Sequence, residues 1–133
     1  RAAGGLYIAD EVQSGFGRTS DHMWGFEADG VVPDILCIAK GLGAGYQPIG
    51  ATLVSSKIYA AIRDGSGFFQ HGHTYMGHPA ACAVALENLR IIQREKIVEK
   101  VRDHTAPCFN QRWAELGEHP IVGEGEVLVE IKA

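Results

Sequence analysis

Leu6-Tyr7-Ile8-Ala9-Asp10 and Ile35-Leu36-Cys37-Ile38-Ala39-Lys40 decide the fold. Each is a short apolar run that ends on one charged residue, the pattern of a buried strand whose carboxyl end opens into a loop. Open α/β sheets place their ligand chemistry at those ends. A third apolar run over 50–54 and helical patterns between the runs extend the same reading to an α/β class. The spacing predicts strands over 6–9, 35–39 and 50–54, a short helix over 56–63 and a long helix opened by His78-Pro79. Proline in a first helical turn lacks only an N–H that would have no partner there. Ala80 to Leu86 is apolar almost all round and reads as buried, within the chain or against a partner subunit, whereas from Asn88 the pattern turns amphipathic. A second helix is expected over 105–116 and a strand from Val127 to Ile131.

A lone Asp after a strand is most often a turn former, and a lone Lys is most often solvated. The pair together has a specific use. Pyridoxal phosphate (PLP) needs a lysine amine for a Schiff base and an acidic partner for its pyridine nitrogen. The surrounding text carries a resemblance. Asp10-Glu11-Val12-Gln13-Ser14-Gly15-Phe16-Gly17-Arg18-Thr19, then Pro33-Asp34-Ile35 with Ala39-Lys40-Gly41-Leu42-Gly43-Ala44-Gly45, then His73-Thr74-Tyr75-Met76-Gly77-His78-Pro79-Ala80-Ala81-Cys82-Ala83 resemble, in order, the class III or omega-type PLP-dependent aminotransferases. The His71–Tyr75 block looks more like the amine/ω-amino-acid:pyruvate members.

The resemblance implies the PLP-dependent transferase fold, a large domain with a mixed, mainly parallel sheet and flanking helices. Residues 1–94 would be the later part of that PLP-binding domain, and 95–133 the start of a small C-terminal α+β domain. The chain then reads as a fragment, with the phosphate loop, a ring-stacking aromatic and most of the small domain outside it. The stretch after His119-Pro120-Ile121-Val122-Gly123-Glu124 departs from the family pattern, since an expected Arg-Gly pair is missing there.

By the same resemblance Lys40 forms the Schiff base and later carries a proton between the substrate α-carbon and the cofactor C4′. Asp10 keeps the pyridine nitrogen protonated through a charge-assisted hydrogen bond. Gln13 resembles the residue that reaches the ring 3-hydroxyl. Val12 either packs on a ring face or is plain core, and Glu11 makes either a structural ion pair or a ligand contact. Thr74 matches a residue that bonds the cofactor phosphate of a neighbouring subunit, which implies a homodimer. Arg18 reads as an interface ion pair or as support behind the site. The glycines of Gly41–Gly45, with Gly15 and Gly17, would let backbone pass close to the cofactor and the partner chain. As a dinucleotide fingerprint the loop is weak, because Tyr46-Gln47-Pro48 and another strand follow it instead of a helix.

The implied activity is transfer of an amino group from an amine or ω-amino acid to a keto acid such as pyruvate. An aminomutase or racemase of the same fold is an alternative, as is a non-catalytic remnant or dimerisation module. Twelve basic and sixteen acidic residues, with no basic run, point away from nucleic acid. No apolar stretch reaches the ~18 residues of a membrane span. His71 and His73 could share one face of an extended segment, but His78 reads as a helix cap beside Pro79, so no metal is expected. Cys37, Cys82 and Cys108 read as reduced core thiols of a cytoplasmic protein.

Overall fold

The computed structural model describes residues 4–19 and 21–118. The predicted strand at Val127–Ile131 and the departure after Glu124 lie outside the described residues.

Three strands form one mixed sheet in the order β1-β2-β3: β1 is Ile8–Asp10, β2 is Ile35–Ile38 and β3 is Ala51–Val54. β1 runs parallel to β2, with Asp10 opposite Cys37, and β3 returns antiparallel, with Thr52 opposite Cys37. Strand β1 starts later than the apolar run suggests. The Asp34 carboxylate accepts the Tyr7 N–H at 2.8 Å, and the Tyr7 carbonyl takes the N–H groups of Asp34 and Ile35, so this corner closes before the ladder begins. Asp10 is therefore the last paired residue of β1 and not the first residue of the loop.

Among the described residues four helices follow: α1 (Ser56–Asp64), α2 (Pro79–Arg94), α3 (Ile97–Lys100) and α4 (Ala106–Gly117), with a π-helical turn at Val101–Thr105 between the last two. The π turn precedes Pro107, which has no N–H to give and whose ring crowds the preceding turn. Helix α2 begins as its sequence predicts. His78 caps it, its Nδ1 accepting the Ala81 N–H at 3.3 Å, and Pro79 follows in the first turn.

The strands are less buried than their apolar sequence suggests. Ala9 in β1 and Ile38 in β2 are buried, the rest of β2 is half-buried, and β3 is exposed throughout. The covered face meets α2: Ile38, Leu42 and Ala85 form the core cluster, with Phe16, Trp24, Leu36, Ile49 and Leu89 packed around it. Alternation then places Asp10, Cys37 and Thr52 side by side on the other, uncovered face. Helix α2 buries one stripe, Ala81 and Ala85, while Leu86 on its far side is 49% exposed, so the run Ala80–Leu86 is not enclosed all round. Nor are the three cysteines core residues. Cys37 is half-buried, Cys82 and Cys108 are exposed, and all three are free thiols.

Candidate active site

Because β1 and β2 are parallel neighbours in register, their carboxyl ends emerge on the same edge of the sheet. Asp10 closes β1, and Lys40 stands three positions beyond Cys37, its partner in the ladder. Asp10 Oδ1 accepts the Val12 N–H at 3.1 Å, a local turn bond of the kind Asp favours. Among the described residues no hydrogen bond reaches its other oxygen, and Asp10 is exposed. Such a carboxylate is held in orientation on one side and open to a donor on the other.

Lys40 opens a short 3₁₀ turn, Lys40–Leu42, closed by the Leu42 N–H on the Ala39 carbonyl at 2.8 Å. Its backbone is left-handed, with φ 40°. For a residue with a Cβ this conformation is costly, roughly 1–3 kcal/mol, and it persists where neighbours over-determine it. Those neighbours are visible. A Cβ on Gly41 would stand 2.6 Å from the Phe16 ring, so only glycine lets that ring lie on the turn. Phe16 is itself left-handed, at φ 64°, and meets Trp24 edge-on at 5.0 Å. A Cβ on Gly15 would meet the same Trp24 ring at 2.8 Å. These two glycines accordingly serve packing within the chain, in addition to any approach to a ligand. The Lys40 side chain is exposed and joins no ion pair among the described residues.

Glu11 does not make the ion pair that one reading expected, among the described residues. It is 4% exposed and is held by donors of the chain itself. Ser14 Oγ donates to Oε2 at 2.7 Å, the Gly25 N–H to Oε2 at 3.0 Å and the Phe26 N–H to Oε1 at 3.0 Å. Burial alone would raise this carboxyl, but the three hydrogen bonds outweigh it and hold the pKa below the usual glutamate value. Glu11 also donates its own N–H to the Cys37 carbonyl at 2.9 Å, adding one rung beyond the β1 ladder. The turn that carries Asp10, Val12 and Gln13 is thereby fastened to the sheet and to the 3₁₀ turn Gly25–Asp29.

Val12 is half-buried and Gln13 exposed in that turn, so the chain brings Asp10, Val12, Gln13 and Lys40 to one edge. Thr74 is not among them. It lies exposed in the turn before α2, and no hydrogen bond or ion pair joins it to Asp10 or Lys40. A cleft of about 600 Å³ lined by Gln47, Ile49, His73, Tyr75, Met76 and Cys82 lies beside that turn and includes neither Asp10 nor Lys40. The rings of His71 and His73 meet edge-on at 4.9 Å, and among the described residues no group of three His, Cys, Asp or Glu could hold a metal ion. Arg18 is exposed, without an ion pair among the described residues.

Sequence reasoning missed Asn88. This residue of α2 donates from Nδ2 to the carbonyls of Gly41 at 2.7 Å and Leu42 at 3.0 Å. The signal was present, since Asn88 falls three residues after Ala85 and seven after Ala81, on the buried stripe. A polar side chain on such a stripe needs a partner.

The family model described as Aminotransferase class-III matches residues 1–125. The putrescine–pyruvate aminotransferase of Pseudomonas aeruginosa is 53% identical over 119 residues, which is 90% of this chain and 26% of that protein. A gamma aminobutyrate transaminase of Solanum lycopersicum is 45% identical over 122 residues, 90% of this chain and 23% of its own. Among solved structures, a thermostable (S)-enantioselective omega-transaminase of Thermomicrobium roseum superposes with a TM-score of 0.82 at 44% identity, covering 93% of this chain and 27% of that one. The chain thus spans about a quarter of the length of these relatives.

Proposed function

Because the chain belongs to the class-III aminotransferase family, we propose that the full-length protein transfers an amino group from an amine or ω-amino acid to a keto acid, pyruvate or a close analogue, with PLP as its cofactor. The observation that carries this reading is the placement of Asp10 and Lys40 at the carboxyl ends of neighbouring parallel strands. The donor set fits the cofactor: among the described residues the amine has no counter-ion, and the carboxylate has one oxygen open to a protonated ring nitrogen. When bound, PLP supplies an electron sink for the carbon that bears the amino group.

The chain's own residues would do the rest. Lys40 would hold the cofactor through its amine and would carry the proton to and from the substrate α-carbon. Asp10 holds the ring nitrogen protonated, and the Val12 N–H on its Oδ1 fixes the direction of its free oxygen. Val12 would lie against a ring face and Gln13 would reach the 3-hydroxyl. Thr74, exposed and apart from this edge, is proposed to bond the cofactor phosphate of a neighbouring subunit in a homodimer. Residues 1–94, which end with α2, would belong to the cofactor-binding domain and 95–133 to the small domain. No helix among the described residues is long and apolar enough to cross a membrane, and a cytoplasmic site of action is proposed.

The name of the Pseudomonas relative makes putrescine and pyruvate the first pair to try. Full-length protein given PLP, putrescine and pyruvate should form alanine, and Lys40→Ala should abolish multiple turnover. Stoichiometric PLP binding with no alanine from any of a panel of amines and ω-amino acids would reject the reading. An amino group moved within one molecule would point to an aminomutase instead.

A further inference from the structure

We propose that Asn88 is a positioning residue for Lys40, holding its backbone in the left-handed conformation from which the amine projects. The inference rests on the reading of Lys40 as the residue that attaches the cofactor. Both Asn88 bonds end on the turn that Lys40 opens, at the carbonyls of Gly41 and Leu42. A 3₁₀ turn this short leaves such carbonyls without partners inside the turn. The N–H groups of Gly43 and Ala44 meanwhile close on the Lys40 carbonyl at 3.2 and 3.1 Å. Phe16 presses on the turn at Gly41 from the β1 side, and Asn88 grips it from α2. The left-handed φ of 40° at Lys40 is thus fixed between two elements, one of them a 16-residue helix.

Releasing the Asn88 grip lets Lys40 move toward the negative φ that residues with a Cβ prefer. That change rotates the Cα–Cβ bond and carries the amine off its direction, while the sheet and helix remain. A displacement of the reacting nitrogen by an ångström is enough to slow chemistry strongly.

The test uses the full-length protein with Asn88→Leu, which keeps the volume and removes both donors, and Asn88→Gln, which keeps an amide on a longer stem. In the cofactor-free protein, hydrogen exchange at Leu42, Gly43 and Ala44 should rise about tenfold in Asn88→Leu, with β1 and α1 unchanged. In the PLP-loaded protein, the visible circular dichroism per bound cofactor should fall to about half or less, and kcat by about tenfold at constant KM for the amino donor. Asn88→Gln should recover most of each signal. Asn88→Ser, a shorter donor, replaces the leucine variant if that one does not fold, with an intermediate loss expected. Wild-type exchange in the turn of Asn88→Leu overturns the proposal. So does a loosened turn with unchanged dichroism and kcat, which would leave Asn88 a structural role only. Borohydride reduction of the wild-type holoenzyme, run alongside, separates the two readings. A label on another lysine rejects the role given to Lys40, while the exchange data still decide whether Asn88 holds the turn.

Discussion

Replacing Glu11 by glutamine should loosen one amide and spare its neighbour. The two oxygens of this buried carboxylate are used unequally: Oε2 accepts from Ser14 and Gly25, and Oε1 accepts from Phe26 alone. A glutamine in the same place keeps one acceptor, which belongs where two donors wait, and turns its NH₂ toward the Phe26 N–H. An unsatisfied buried N–H costs ~1–3 kcal/mol, so exchange at Phe26 should speed by about 5- to 150-fold, with Gly25 nearly unchanged. Glu11→Ala strands both amides and should cost ~2–6 kcal/mol on the same basis. Acid supplies a second arm. Because the folded carboxyl lies below its usual value of 4.5, its contribution is fully present above that value and is lost as pH falls through the lower, folded value. In the wild type, protection at Gly25 and Phe26, corrected for intrinsic exchange, should decline below about pH 4.5, and Glu11→Gln should show no such decline. Hydrogen exchange on the full-length protein reads both arms. Equal losses at the two amides, or an acid response that survives in Glu11→Gln, would refute the reasoning.

Three further outcomes follow from the same geometry. Asp10→Asn keeps size and the Val12 bond but removes the charge, so amino transfer should slow by about 10²–10⁴ with the fold retained; near wild-type rates would show that Asp10 does not serve the ring nitrogen. Gly41→Ala drives a methyl into the Phe16 ring and should cost ~1–3 kcal/mol while changing the fluorescence of Trp24, which touches that ring; unchanged emission and melting would contradict the packing. Residues 1–133 expressed alone leave Tyr46 at 79% and Tyr75 at 80% exposure and β3 exposed throughout, so sedimentation should find association; a cooperatively melting monomer would oppose this.

The strands, the cap of α2 and the α4 region were legible because each is written locally: apolar runs, a His-Pro helix start, an amphipathic period. The placement of Asp10 and Lys40 at the ends of neighbouring strands was legible from the apolar runs that lead into them. What sequence did not reveal depends on partners distant along the chain. Glu11 could be read as ion-paired or ligand-bound, because nothing near it in sequence announces that the N–H groups of Gly25 and Phe26 converge on its carboxylate. The glycines after Lys40 read as room for a ligand, yet Gly41 makes room for Phe16, twenty-five positions earlier in the sequence. Composition marks Ala80–Leu86 as a run to be covered but does not say whether this chain or a partner subunit covers it. In this chain α2 meets the sheet with one stripe, and Leu86 faces away.

The central claim is that Lys40 is the cofactor-bearing lysine at the edge shared with Asp10. Borohydride reduction of the PLP-loaded full-length protein, followed by peptide mass mapping, tests it most directly. One reduced pyridoxyl group per chain is expected, on Lys40, and none on Lys57, Lys96, Lys100 or Lys132. A stoichiometric label on any of those other lysines would contradict it.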